Sequence, residues 1–460
     1  MVNNMPAALH EITKRIMANV VLIGLASAVL TLAACGSSSQ RHPPRKQIRF
    51  WHMWTAEWKV VIDRYVKNFN NSQDEYEVVA LSIPASGGAN TKFLLGVAGG
   101  DPPDVMAQWN QIIPAWGSKG LLVPLDSLMT AEEWKQYQKT TYPIAQKIGT
   151  FRGHLYGVTT GVNAWACYYH PRQLREAGLD PDHFPNTLEQ LTQWAERLNR
   201  FDKQGHLTHM GFLPTTLQMF VNLYGGGFWD AQEQQLLFAT PKNVDALDYL
   251  TQYHRKYGFD EVLRFTSGLS TTGSSSGTDW PFISGAFSIA LDGQWRVKQL
   301  ADVAPDVEYR VAPLPAPAAG REKGGYGSGN FMIIPKGAKQ VQGAWKFIRY
   351  VSGLQDPEVA GEICSWGGWL PLNDYVANSK KFQEYLAKNP AFRTFVDIVH
   401  SPNIEPIPPV PFQDYLYTRI AACEDAAVVR GMLSPKQALE RLEDEMNREI
   451  KRRKALGYEE

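Results

Sequence analysis

Seven short segments of this 460-residue chain concentrate side chains that could recognise a polar, ring-shaped solute. They are Trp51-His52-Met53-Trp54-Thr55-Ala56-Glu57, Gln108-Trp109-Asn110, Asn163 with Trp165, Asp292-Gly293-Gln294-Trp295, Gly227-Phe228-Trp229-Asp230, Gly325-Tyr326-Gly327-Ser328 and Trp366-Gly367-Gly368-Trp369. A flat aromatic face covers the apolar C–H face of a sugar ring, while amides, hydroxyls and carboxylates satisfy its hydroxyl groups. Trp54, Trp229, Trp295 and Trp369 are the expected stacking surfaces. Glu57, Gln108, Asn110, Asn163, Asp292 and Ser328 are the expected polar partners, and Trp165, Tyr326 and Trp366 complete the candidate set. Trp58, Trp116, Trp134, Trp194 and Trp345 fall at helical spacing and read as core.

Other chemistries find less support. Gly273-Ser274-Ser275-Ser276-Gly277 has the G-x-S-x-G spacing, but a nucleophile elbow needs an apolar strand before the serine and a helix after it. Here Ser, Thr and Gly flank it on both sides, which is loop composition. The glycines of 324–329 match neither nucleotide-binding spacing. Histidines show no ligand-like pairing, and His206 and His209 read as solvent-facing in a polar turn. No catalytic residue, cofactor or metal is expected. Lys+Arg and Asp+Glu both number 46, so no basic excess argues for nucleic acid or for electrostatic docking on a membrane.

The elements that must position these residues follow from periodicity. Residues 47–51 alternate as a first strand, and Trp58, Val61, Ile62, Tyr65, Val66 and Phe69 form one helical face with Thr55 as its N-cap. Strands at 75–83 and 103–107 and helices at 91–99 and 112–118 continue the alternation of an α/β region with a largely parallel sheet. A second α/β stretch opens with an apolar strand over 162–170. It continues through helices at 173–177, 187–200 and 242–257 and a strand at 287–291. A strand at 331–334, a helix at 341–351 and a helical tail over 412–429 and from 434 onward complete the chain. Four of the seven aromatic segments fall at strand ends, where open α/β sheets bind ligands.

The N-terminus carries an address. Lys14 and Arg15 precede an apolar run over 20–34 that ends Leu32-Ala33-Ala34-Cys35-Gly36, an export signal too short to span a membrane comfortably. The Leu-Ala-Ala-Cys tetrad resembles a bacterial lipobox. That resemblance implies removal of 1–34, lipidation of Cys35 and a tether over 35–46, on the extracytoplasmic face of the cell membrane. Cys167, Cys364 and Cys423 remain; a Cys364–Cys423 disulfide and three buried free thiols both stay open.

The order of several motifs resembles the extracellular solute-binding lipoproteins of ABC sugar importers, the maltose-binding-like group. These are Phe50-Trp51-His52, Gly99-Gly100-Asp101-Pro102-Pro103-Asp104-Val105, Leu121-Leu122-Val123-Pro124-Leu125, Tyr156-Gly157-Val158, Tyr168-Tyr169-His170, Phe282-Ile283-Ser284-Gly285-Ala286-Phe287, Ala344-Trp345-Lys346-Phe347-Ile348 and 367–371. His170 stands where the family often has Asn, and Phe287 and Ser288 replace an Ala-Met pair. The resemblance implies two α/β lobes, each a mostly parallel sheet flanked by helices, with a ligand cleft between them closed by hinge motion. It implies crossings near 161, 326 and 370, hence lobes of 47–160 plus 327–369 and of 161–326 plus 370–460. It further implies a monomer that hands a carbohydrate to permease subunits, with membrane contact through the lipid alone. Two rivals remain: a secreted carbohydrate-active hydrolase using a pair from Glu57, Asp279 and Asp292, or the same fold holding a glycerol phosphate near Arg296 or Arg419, or a polyamine.

Overall fold

A computed structural model describes residues 44–83, 89–230, 232–233, 235–269 and 279–458. The export signal, Cys35 and nearly all of the Ser/Thr/Gly loop before Asp279 lie outside the described residues. Residues from Gln47 onward form one compact unit, built on two sheets.

The first sheet starts with β1 (Lys46–His52), whose Ile48, Phe50 and His52 point into the core. The helix α1 (Ala56–Ser72) buries Val61, Ile62, Tyr65, Val66 and Phe69, as its periodicity requires. Thr55 occupies its N-cap position without donating or accepting a side-chain capping bond. Next come β2 (Tyr76–Ser82), α2 (Ala89–Ala98), β3 (Val105–Trp109) and α3 (Ile112–Gly117). The strand β4 (Val158–Asn163) closes the far edge, and β8 (Ser328–Ile333), coming from much later in the chain, inserts between β3 and β4. The order is therefore β2-β1-β3-β8-β4. β1 and β3 run parallel, whereas β8 is antiparallel to both neighbours. Its register sets Ser328 opposite Asn163 and Asn330 opposite Trp109.

The apolar run 162–170 is not one strand. It breaks at Ala164, so that β4 ends in the first sheet and β5 (Trp165–Tyr169) begins the second. A continuous apolar run hides such a break, because both halves are buried. In the second sheet β5 lies between β6 (Ile289–Gly293) and β7 (Arg310–Ala312), antiparallel to both. The expectation of mostly parallel sheets is thus corrected: the strands that return from distant parts of the chain enter from the opposite end. Side chains of β5 alternate between two cores, as the two-residue period of a strand requires. Ala166 and Tyr168 join the core of the first sheet, and Cys167 and Tyr169 that of the second.

The second core is completed by α4 (Leu188–Leu198), α5 (Leu217–Leu223), α6 (Pro241–Tyr257), α10 (Gln413–Glu424) and α11 (Pro435–Ala455). Thr187 caps α4 by accepting from Gln190 N at 3.2 Å. The carboxylate of half-buried Glu424 accepts from Thr216 N and Leu217 N, both at 2.9 Å, and so ties α10 to the first turn of α5. Onto β6 follows α7 (Trp295–Val303), and onto β8 follow α8 (Val341–Ser352) and α9 (Pro357–Gly367). The apolar residues between Leu370 and Ile404 pack into the first core.

One further expectation changes, and one open alternative is decided. His209 is buried, its Nε2 2.7 Å from Ser288 Oγ, because the 207–209 strand packs against the segment leading into β6. His206 remains exposed. Cys167, Cys364 and Cys423 are buried free thiols; Cys364 sits in the first core and Cys423 in the second, so the two do not pair.

Candidate functional site

The crossing at Ala164 is fastened by one side chain. Gln294, the residue between β6 and α7, accepts from Ala164 N at 3.1 Å through Oε1 and donates through Nε2 to Val162 O and to Asn163 Oδ1, both at 3.2 Å. Asn163 Nδ2 in turn donates to Ser328 Oγ at 3.2 Å. Two strands and the turn after a third thereby join Asn163, Ser328 and Gln294 in one polar row, in which Asn163 is half-buried and the other two are buried.

Aromatic rings stand beside this row. Trp165 lies edge-on to Trp295 at 5.8 Å between ring centroids and 5.0 Å from Tyr326. Trp165 and Trp295 are half-buried, so part of each ring faces solvent, whereas Tyr326 is buried. Gly293 makes the position of Trp295 sterically allowed: a Cβ there would sit 2.1 Å from the Trp295 ring. On the first sheet, Trp109 ends β3 with 51% of its surface exposed, directly before α3. Its neighbours turn inward. Asn110 accepts from Gly329 N at 3.2 Å and its own N–H donates to Gly329 O at 3.3 Å. Gln108 accepts from Trp109 N at 3.0 Å and approaches Asn90. From the other lobe, α10 comes into contact with α3 and exposes Tyr415 and Tyr417.

The charged groups of the site neutralise one another. Arg296 Nε donates to Asp292 Oδ2 at 2.8 Å and Nη1 to Gln299 Oε1 at 2.9 Å, while the guanidinium covers the Trp280 ring at 4.7 Å. Burial raises the Asp292 carboxyl above its ordinary range despite the pull of Arg296. Gln299 Nε2 reaches Glu57 Oε1 at 3.3 Å. Arg296 is thus buried and committed to Asp292 and Gln299, and Arg419 is paired with Glu445 at 2.6 Å. Of the three carboxylates from which a hydrolase could draw a pair, Glu57 and Asp292 are hydrogen-bond acceptors along one chain of side chains.

The candidate residues thus separate into groups. Asn163, Trp165, Asp292, Trp295, Tyr326 and Ser328 come together at the crossing. Glu57 and Trp366 lie in a neighbouring groove. Trp54 and Trp369 do not offer stacking faces: they pack on each other at 5.5 Å and are 7% and 4% exposed. Trp369 is further seated on Gly161, where a Cβ would meet its Cβ at 3.0 Å. Gln108 and Asn110 are internal braces, since both side chains are spent on neighbouring main chain or Asn90. Trp229 belongs to a two-residue hairpin against the second core and makes no ring contact with the others among the described residues. Trp58, expected in the core, is half-buried and donates from Nε1 to Gly367 O at 3.4 Å. Trp109 and Gln294 lie in the expected segments but not among the expected stacking and polar residues, and Arg296 was expected only as a phosphate partner; the structure gives all three a part in forming the site. The signal for Trp109 was its place as the last residue of a buried strand.

Residues 55–354 match the family of bacterial extracellular solute-binding proteins. The maltooligosaccharide ABC transporter solute-binding lipoprotein of Streptococcus pneumoniae serotype 4 is 22% identical over 442 residues, covering 90% of this chain and 95% of that protein. The sn-glycerol-3-phosphate-binding periplasmic protein of Escherichia coli K12 is 21% identical over 470 residues, covering 96% of this chain and 98% of that one. The structure of CpMnBP1 with mannotriose bound superposes with a TM-score of 0.75 at 23% identity, over 87% of this chain and 100% of that one, and has the same fold. These matched proteins are binding proteins rather than enzymes. Since the family match takes in 300 of the 460 residues, the chain belongs to the bacterial extracellular solute-binding proteins.

Proposed function

We propose that this protein captures a neutral oligosaccharide between its two lobes and delivers it to the permease of an ABC importer. The observation that carries the reading is the convergence of half-buried Trp165 and Trp295 on the Asn163–Ser328–Gln294 row. Rings supply stacking area, and amides and hydroxyls supply orientation, which is the recognition a sugar needs. Trp109, on the opposing sheet, is the proposed second platform. Several separated aromatic surfaces suit a chain of sugar units better than a single ring. The matched maltooligosaccharide and mannotriose binders support the same class.

The relative named for glycerol phosphate makes an anionic ligand the rival. Commitment of Arg296 to Asp292 and Gln299 speaks against it. In the same proposal, Cys35 carries the lipid anchor, 35–46 is the tether, and the protein acts as a monomer. The lobes are 47–160 plus 327–369 and 161–326 plus 370–460, with 370–404 lying against the first core.

The test is intrinsic Trp fluorescence and thermal melting against neutral oligosaccharides, monosaccharides, glycerol phosphate and polyamines. A ligand raises the melting temperature in proportion to its saturation. A shift with an oligosaccharide, lost in Trp165→Ala, is expected. A shift with glycerol phosphate or a polyamine alone refutes the assignment.

A further inference from the structure

A groove of about 330 Å³ runs between α1, α7 and the C-terminal end of α9. Glu57, Trp58 and Arg64 on α1 and Trp366 on α9 form one wall, in the proposed first lobe, and Lys298, Gln299 and Asp302 on α7 form the other, in the proposed second lobe. Most of these groups are satisfied within their own lobe. The Arg64 guanidinium lies 3.7 Å over the Trp366 ring, Lys298 bonds to Asp302, and Trp58 bonds to Gly367 O. Glu57 is different: its Oε1 accepts from Gln299 Nε2 across the groove at 3.3 Å.

The orientation of Gln299 is imposed from within the second lobe. Its Oε1 accepts from Arg296, which turns its NH2 group toward α1. Arg296 is itself buried and held by Asp292, whose Oδ1 accepts from Gly293 N at 2.7 Å. Gly293 is followed by Gln294, the clamp of the crossing. The groove closes tightly at one point. Gly368 takes φ of +60°, and a Cβ on it would lie 2.6 Å from Lys298 Cβ.

We propose that Glu57 and Gln299 form an inter-lobe latch that stabilises the conformation described above, and that Arg296 is a positioning residue coupling this latch to Asp292 at the crossing. The proposal goes beyond the binding function and does not depend on which solute is bound. Breaking the bond removes one contact between the lobes while leaving each lobe's own core intact. A hydrogen bond to a carboxylate at this length and exposure changes such an equilibrium by roughly three- to tenfold.

The experiment measures distances between spin labels at Lys67→Cys and Lys203→Cys, both exposed, in the solute-free protein. Glu57→Ala and Gln299→Leu are each expected to move the population away from the wild-type distance by that factor. The double variant is expected to move it no further than either single change. Glu57→Gln, which keeps an acceptor oxygen, is expected to retain the wild-type distribution. Wild-type distributions in Glu57→Ala and Gln299→Leu, fully additive effects in the double variant, or a Glu57→Gln shift equal to that of Glu57→Ala would each overturn the latch. Glu57 is a surface residue, so its variants keep the test valid even where Gln299→Leu folds poorly. Failure of sugar binding leaves these solute-free distances unchanged, so the two proposals fail separately.

Discussion

His52 gives the sharpest prediction about stability. It is 2% exposed on β1, between the rings of Phe50 at 5.3 Å and Trp54 at 6.1 Å, and neither ring nitrogen has a hydrogen-bond partner. Burial lowers its pKa from 6.5 to about 4; nearby Lys59 adds to the effect and Asp63 opposes it. The folded protein therefore keeps His52 neutral down to about pH 4, while the unfolded chain takes up a proton below 6.5. The unfolded state binds the extra proton, so stability is fully present above pH 6.5 and is lost as pH falls through 4. At ~1.4 kcal/mol per unit, the loss is about 3 kcal/mol, a large share of a typical total of ~5–15 kcal/mol. The perturbation is His52→Phe, with His52→Leu as a second apolar variant. The assay is urea denaturation of variant and parent at pH 7 and at pH 4. Groups common to both chains cancel in the difference, including Asp292 and Glu424, whose raised pKa values act in the opposite direction. The variant's stability relative to the parent is expected to rise by about 3 kcal/mol between the two pH values. An equal difference at both pH values would refute the reasoning.

Other outcomes follow from the same geometry. Gly293→Ala places a Cβ 2.1 Å from the Trp295 ring; the ring must leave, at a cost of about 1–3 kcal/mol in denaturation and with loss of the solute-induced fluorescence change. Trp165→Ala is expected to weaken sugar binding at least tenfold while far-ultraviolet circular dichroism stays unchanged, since this ring is half-buried at the site. All three described thiols are buried, and burial pushes Cys364 and Cys423 up to about 12. Alkylation without reductant should label none of the three in native protein and all three after unfolding. Cys35→Ala is expected to release the protein from the membrane fraction; a variant that stays lipidated there contradicts the anchor proposal.

Much of the fold was legible because period carries burial. The faces of α1 and α8, the cap at Thr187 and the positions of β1, β3 and β6 follow from apolar spacing alone. Strand direction was not legible, because it depends on which distant segment fills a gap; β8 enters between β3 and β4 from more than 150 residues later. The break at Ala164 was hidden for a related reason: its neighbours are buried on both sides in two different sheets. For the site, residue type located the segments but not the side of each segment that faces outward. In Gln108-Trp109-Asn110 the amides turn inward and the tryptophan outward. Trp54 and Trp369 sit in loop-like sequence, yet they are core because the two segments pack on each other. Gln294 acts through main-chain contacts with a segment 130 residues away, which no local pattern encodes.

The central claim is recognition of a neutral oligosaccharide between the lobes. Titration calorimetry of the lipid-free protein with a series of neutral sugars of increasing length tests it most directly. The account predicts saturable one-to-one binding that tightens from one sugar unit to several and is abolished or strongly weakened in Trp165→Ala. Binding confined to glycerol phosphate or a polyamine, or equal affinity for a monosaccharide and its oligomers, would contradict it.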